Sequence, residues 1–96
     1  MINIDYPKVK KAKAVLRALD HKQRQQIIKL LQDNGKLTVT ELYISLRVEQ
    51  SQCSQFLAIL RKAGITNTVR DGKQIYYSLN TEYISEINTF VNQLIK

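Results

Sequence analysis

The chain has one cysteine, one histidine, one proline and three glycines among its 96 residues, and each shortage removes a class of protein. A lone cysteine, Cys53, excludes an intramolecular disulfide framework and fits a reducing compartment. Cys53 and His21 cannot between them supply the three or four ligands of a tetrahedral metal site. A glycine-rich phosphate loop, a Ser/His/Asp set and paired carboxylates in a recognisable context are all missing, so nothing points to an enzyme and no cofactor is expected. No apolar run approaches the ~18 residues of a membrane span and no signal peptide precedes the first helix, which makes the expected location cytoplasmic. Repeats, linkers and low-complexity stretches are also absent, and residues 1–96 read as one domain with a modest core.

What the chain has in excess is positive charge. Fifteen Lys+Arg against eight Asp+Glu give a formal charge of +7 and a pI of about 9.7, a balance that favours polyanionic partners over a merely solvated basic surface.

The informative stretch is 48–79. Cys53, Phe56, Leu57 and Leu60 recur at i, i+3, i+4 and i+7, the buried stripe of a helix. Ser51, Gln55, Ala58 and Lys62 fall on the opposite side, flanked by Gln52 and Ser54, and Gly64 supplies a left-handed residue that ends the helix. Asp71-Gly72 then signals a two-residue hairpin, because a type I′ turn needs positive φ at both central positions. Val69 before it and Ile75, Tyr76 and Tyr77 after it suit a pleated surface. A polar-faced helix running into a basic-tipped hairpin is the recognition helix and wing of a winged helix-turn-helix.

The remaining elements follow from caps and periodicity. Pro7 suits a first helical turn, and Val9, Ala12, Leu16 and Leu19 form a stripe ringed by Lys8, Lys10, Lys11, Lys13 and Arg17. Those cations read either as a solvated face or as contacts to phosphates flanking a DNA site. Asp20 with Gln23 resembles a capping box for a second helix carrying Ile27, Ile28, Leu30 and Leu31, ended by Gly35. His21, in that first turn, reads as a surface residue without a partner. Lys36-Leu37 fits a short strand, and Thr38 with Glu41 a second capping box, before a helix burying Val39, Leu42 and Leu46. Arg47-Val48 makes the turn, and Glu49 is an indifferent N-cap for the recognition helix. Asn80 or Thr81 caps a last helix with Ile84, Ile87, Val91 and Leu94 in register and Phe90 beside them. The fold class is mainly α with a small β-hairpin wing, in the order α1-α2-(β)-α3-α4-β-β-α5.

Glu41-Leu42, Val48, Ser54-Gln55-Phe56-Leu57, Leu60-Arg61-Lys62-Ala63-Gly64 and Arg70-Asp71-Gly72-Lys73 through Tyr76-Tyr77-Ser78-Leu79 together resemble the ArsR/SmtB family of small bacterial repressors. Ala18-Leu19-Asp20-His21 to Arg24, then Ile27-Ile28, is similar to the family's opening of its second helix, and the likeness spans roughly residues 15–80. The resemblance implies a homodimeric winged-helix regulator that binds operator DNA and releases it on sensing a signal. It implies subunit pairing through the first and last helices, here Val9, Ala12, Leu16, Ile84, Ile87, Val91 and Leu94, whose stripes are also long for a monomer of this size to cover.

For DNA, the helix offers Gln50, Gln52 and Gln55 with Ser51 and Ser54, and no arginine in its first two turns. Glutamine pairs bidentately with adenine, whereas guanine is usually taken by Arg or Lys. The resemblance places contacts on Ser51, Ser54 and Gln55. Arg61, Lys62, Arg70 and Lys73 suit phosphates or the minor groove. Ile59, on the outer side, either touches thymine methyls or edges into the core.

Metal sensing is a property of many such repressors, and the residues argue against it. Where the family's thiolate sensors have cysteines at the start of the third helix, this chain has Thr38 and Thr40, poor ligands for soft metals. Where other members bind zinc through Asp and His of the last helix, residues 81–96 offer Glu82 and Glu86 alone. Cys53 replaces a common valine and reads as a small buried hydrophobe; a thiol switch is the alternative, although the family's sulfur sensors use two cysteines. A protein-interaction module on the same fold is the rival from another class, which an acidic wing would have favoured.

Overall fold

A computed structural model describes the backbone of residues 5–94 and the side-chain surroundings of residues 5–93. The first helix, α1 (Tyr6–Leu19), starts where Asp5 accepts the Lys8 N–H at 3.2 Å and Pro7 occupies the opening turn. It buries Ala12, Val15 and Ala18, while Val9 keeps 36% and Leu16 54% of its surface. The single stripe expected from Val9, Ala12, Leu16 and Leu19 is therefore two. At about 100° per residue, small side chains face the core and Val9 and Leu16 lie a quarter-turn round.

The second helix, α2 (Lys22–Asn34), differs from expectation at its start. Only two residues separate it from α1, and Asp20 is occupied in closing the first helix, donating its N–H to the Arg17 carbonyl at 3.2 Å. The cap falls to His21, whose Nδ1 accepts the Gln23 N–H at 3.2 Å. Far from lacking a partner, the half-buried His21 ring also lies 4.9 Å from the Phe56 ring, tilted by 47°. The first turn of α2 satisfies the last carbonyls of α1 in return. Arg24 Nε donates to Ala18 O and Gln25 Nε2 to Leu19 O, each at 2.6 Å.

After Gly35 comes β1 (Lys36–Thr38), and Thr38 opens α3 (Val39–Leu46) through the expected capping box. The Glu41 N–H donates to Thr38 Oγ1 at 3.2 Å, and the Thr38 N–H to Glu41 Oε1 at 3.0 Å. Two helix ends then share one device. Arg47 takes a left-handed φ of 58° after α3, with the Val48 N–H reaching back to the Tyr43 carbonyl. Gly64 takes φ 84° after α4 (Gln50–Lys62), with the Ile65 N–H on the Leu60 carbonyl and the Gly64 N–H on the Arg61 carbonyl. Both are the paired bonds of a Schellman ending.

The wing is β2 (Thr66–Asp71) and β3 (Gln74–Leu79), antiparallel, with β1 added on the far side in the order β1-β3-β2. Asp71 pairs with Gln74, so Gly72 and Lys73 form the turn rather than Asp71 and Gly72. Only Gly72 has positive φ (64°), the requirement of a II′ turn and not of the expected I′. The last helix, α5 (Thr81–Leu94), is capped by Asn80, whose Oδ1 accepts the Tyr83 N–H at 3.2 Å. Ile27, Leu31, Leu42, Leu57, Leu60 and Ile65, each at most 1% exposed, form the core, and each such burial contributes roughly 1.5–3 kcal/mol.

Candidate nucleic-acid interface

One side of α4 holds the molecule together and the other is free. Cys53, Phe56, Leu57 and Leu60 are buried; Gln50, Ser51, Gln52, Ser54, Gln55, Ala58, Arg61 and Lys62 are exposed. Ile59, 42% exposed, belongs to the outer side and not to the core. Glu49 precedes the helix without a side-chain cap bond, as its chemistry suggested, and Arg61 and Lys62 sit in the last turn, where the helix dipole favours cations.

The sheet register sorts the wing's charges. Side chains alternate across a strand, and directly paired residues share a face. Tyr77, paired with Thr68, lines a cleft with Ser54, Ala58, Arg61 and Lys62, so that face of the wing looks toward α4. Arg70, two residues from Thr68 on the same strand, shares it. Asp71 lies on the other face, where Lys36 Nζ approaches its carboxylate at 3.7 Å and the Tyr76 ring centroid at 4.6 Å. Both partners of this ion pair are more than half exposed, so it adds little stability. The wing's one acid thus lies beside Lys36 on the face away from α4, while Arg70 is on the face toward α4 and Lys73 at the tip.

The structure thus gathers Ser54, Arg61 and Lys62 at one cleft, sets Gln50, Ser51, Gln52 and Gln55 along the same exposed helix, and puts Arg70 and Lys73 on the wing beside it. Lys36 and Tyr77 were missed by sequence reasoning. Their parts depend on strand register, for which the sequence carries no local signal.

Cys53 is fully buried on the inner face of α4, and burial pushes its thiol pKa up. Thiol chemistry runs through the thiolate, so this environment suppresses reactivity. Thr38, at one of the positions where a metal-sensing relative would hold cysteine, uses its hydroxyl in the α3 cap. Among the described residues no three His, Cys, Asp or Glu side chains gather, and no helix is long and apolar enough to cross a membrane.

A mainly helical chain with an uncovered polar helix beside a basic three-stranded wing defines a winged helix-turn-helix regulator that binds double-stranded DNA. The description of bacterial regulatory proteins of the arsR family matches residues 21–68, and the chain belongs to that family. The transcriptional activator HlyU of Vibrio cholerae is 34% identical over 84 residues, covering 88% of this chain and 77% of that protein. Its reduced form superposes with a TM-score of 0.71 over 95% of this chain and 96% of that one. The transcriptional repressor PagR of Bacillus anthracis superposes with a TM-score of 0.76 at 28% identity, over 91% and 99% of the two chains. An ArsR-like regulator from Rhodococcus, at 19% identity and a TM-score of 0.82 over 90% and 80%, shares the fold. The chain is a DNA-binding transcriptional regulator and not an enzyme.

Proposed function

We propose that residues 1–96 act as one cytoplasmic winged-helix domain that pairs into a homodimer and represses transcription from a pseudo-palindromic operator. The observation that carries this reading is the uncovered Gln/Ser face of α4 beside a wing that turns Arg70 toward it and its one acid, Asp71, away. Gln50, Gln52 and Gln55 are assigned to base edges, Ser51 and Ser54 to bases or backbone, and Arg61, Lys62, Arg70 and Lys73 to phosphates or the minor groove. The name of PagR supports repression; that of HlyU is the counter-example.

Pairing is supported by shape and by exposed apolar surface. The radius of gyration is 14.7 Å, against about 12.5 Å for a compact chain of this length. Val9 and Leu16 are exposed, and Ile84 and Val91 half-buried, along one edge of α1 and α5. Ala12 and Ile87 are already covered within the chain, at 4% and 8% exposure, and leave a partner little to touch. The Leu94 side chain lies outside the described residues.

Selection of bound sequences from random duplex DNA tests the whole reading. Half-sites centred about one helical turn apart (~10 bp) are expected, with affinity falling steeply as salt rises. Gln55→Ala should relax preference at one position by about 1–3 kcal/mol, and Lys73→Ala should weaken all duplexes alike. A flat salt dependence, or equal affinity for selected and scrambled DNA, overturns it.

A further inference from the structure

On the edge of the α1–α5 pair away from Val9, Leu16 and Val91 lies a second cleft, of about 420 Å³. Its floor is Tyr83, Ile87 and Phe90; its rim is Lys8 and Lys11 from α1 and Glu86 from α5. That volume lies within the ~300–1,000 Å³ usual for small-molecule sites. The helical wheel separates it from the apolar edge. At about 100° per residue, Lys11 lies more than a quarter-turn from Val9 and Leu16, as do Glu86 and Phe90 from Ile84 and Val91, while Lys8 lies about a quarter-turn from both apolar residues of α1. A partner subunit seated on the apolar edge need not cover the rim of this cleft.

The chemistry of the cleft is specific. Lys8 Nζ stands 6.0 Å from the Phe90 ring centroid, a cation held beside an aromatic face. Neither lysine comes within 4.0 Å of a carboxylate among the described residues, Glu86 included. Two unpaired ammonium groups above a floor with two aromatic rings complement a flat apolar body carrying one negative charge. The floor also leads elsewhere. A Cβ built on Gly64 would lie 2.8 Å from Tyr83 Cε2, so the Tyr83 ring rests directly on the glycine that ends α4.

We propose that this cleft binds a small aromatic carboxylate, and that its occupancy is passed to the recognition helix through Tyr83 and Gly64. The binding half stands on the cleft alone; the relay rests on the DNA-binding reading above. Occupancy changes DNA affinity only if α4 is held differently with the ligand bound, and Tyr83 is the side chain that touches both places.

The test titrates the ¹⁵N-labelled full chain with 2-naphthoate, and with uncharged 2-naphthamide as the control. Saturable shifts are expected at the amides of Lys8, Lys11, Glu86, Phe90 and Gly64. Replacing both rim lysines, Lys8→Gln with Lys11→Gln, should weaken naphthoate about tenfold while leaving naphthamide unchanged. Glu86→Gln removes a repelling charge and should tighten it. No saturation below about 10 mM, shifts centred on Leu16 and Val91, or equal binding of amide and acid overturns the site. In a second arm, saturating naphthoate should change affinity for selected DNA at least about fivefold. Naphthoate binding with unchanged DNA affinity overturns the relay. Naphthoate binding by a chain that selects no DNA overturns the regulator reading and leaves the site standing.

Discussion

Leu57 and Leu60, on the inner face of the recognition helix, are at most 1% exposed, whereas Leu16 on α1 keeps 54% of its surface. The same residue type, on helices of similar length, meets two regimes of burial. The inner faces of α2, α3 and α4 enclose Ile27, Leu31, Leu42, Leu57 and Leu60, whereas α1 sets Ala12, Val15 and Ala18 against the core and leaves Val9 and Leu16 outside. On the proposed pairing, the contrast separates what makes the chain fold from what would make it assemble, and Val9 and Leu16 are the α1 side chains that test it without entering the core.

Breaking the centre should have the largest effect. Leu57→Ala is expected to cost about 2–5 kcal/mol in urea unfolding, because Leu57 is 1% exposed and its loss leaves a cavity in the core. Leu16→Glu should leave cooperative unfolding of the monomer intact and abolish the dimer in sedimentation velocity. An unfolded Leu16→Glu chain would put α1 inside the core and erase the contrast. A charge at Ile87, by comparison, would report folding, since that side chain is 8% exposed in the single chain.

Gly64 lies where the two regions touch. Any side chain there meets both the positive φ of 84° and the Tyr83 ring, so Gly64→Ala should destabilise by about 1–3 kcal/mol, measured the same way. Thr66 sharpens the picture from the other direction. Its hydroxyl is buried with no hydrogen-bond partner in the described structure, and Thr66→Val should stabilise by about 1 kcal/mol. A loss instead would mean that the hydroxyl is satisfied in solution.

The smallest effect concerns Cys53. From about pH 8.5 upward the unfolded chain releases its thiol proton, while the buried thiol, its pKa raised by desolvation, holds on. The unfolded state is then favoured, so stability falls as pH rises through that range. Cys53→Val should match the parent at pH 7 and lack this part of the alkaline loss. An oxidant response retained by the variant would show that the thiol is structural.

Local chemistry was the legible part. Thr38 with Glu41, Asn80 before α5, and the glycines after α2 and α4 act where their side chains or backbones predict, because each depends on neighbours within a few residues. What was misread depended on distant structure or on competition. Asp20 is a better N-cap than His21 in isolation, but Asp20 was already occupied in closing α1. The hairpin turn moved by one residue because pairing along β2 and β3 set the register. Val15 and Ala18 face the core because α1 must approach its neighbours closely, a demand that periodicity in α1 alone does not reveal. At the candidate interface, the polar face of α4 was readable from spacing. The roles of Lys36 and Tyr77 were not, since a third strand had to pair before either could take its position.

Thr38 belongs to two machines at once. As the last residue of β1 it pairs with Tyr76 in the middle strand of the wing, and as the N-cap of α3 it fixes the start of the helix-turn-helix. The instrument it makes resembles a calliper whose two jaws share one joint: the wing and the helix-turn-helix are tied together at a single residue. The stiffer that joint, the more a duplex has to bend or change groove width to meet both jaws, and on the proposed reading the ease with which a given sequence does so becomes part of what is read, at base pairs no side chain touches.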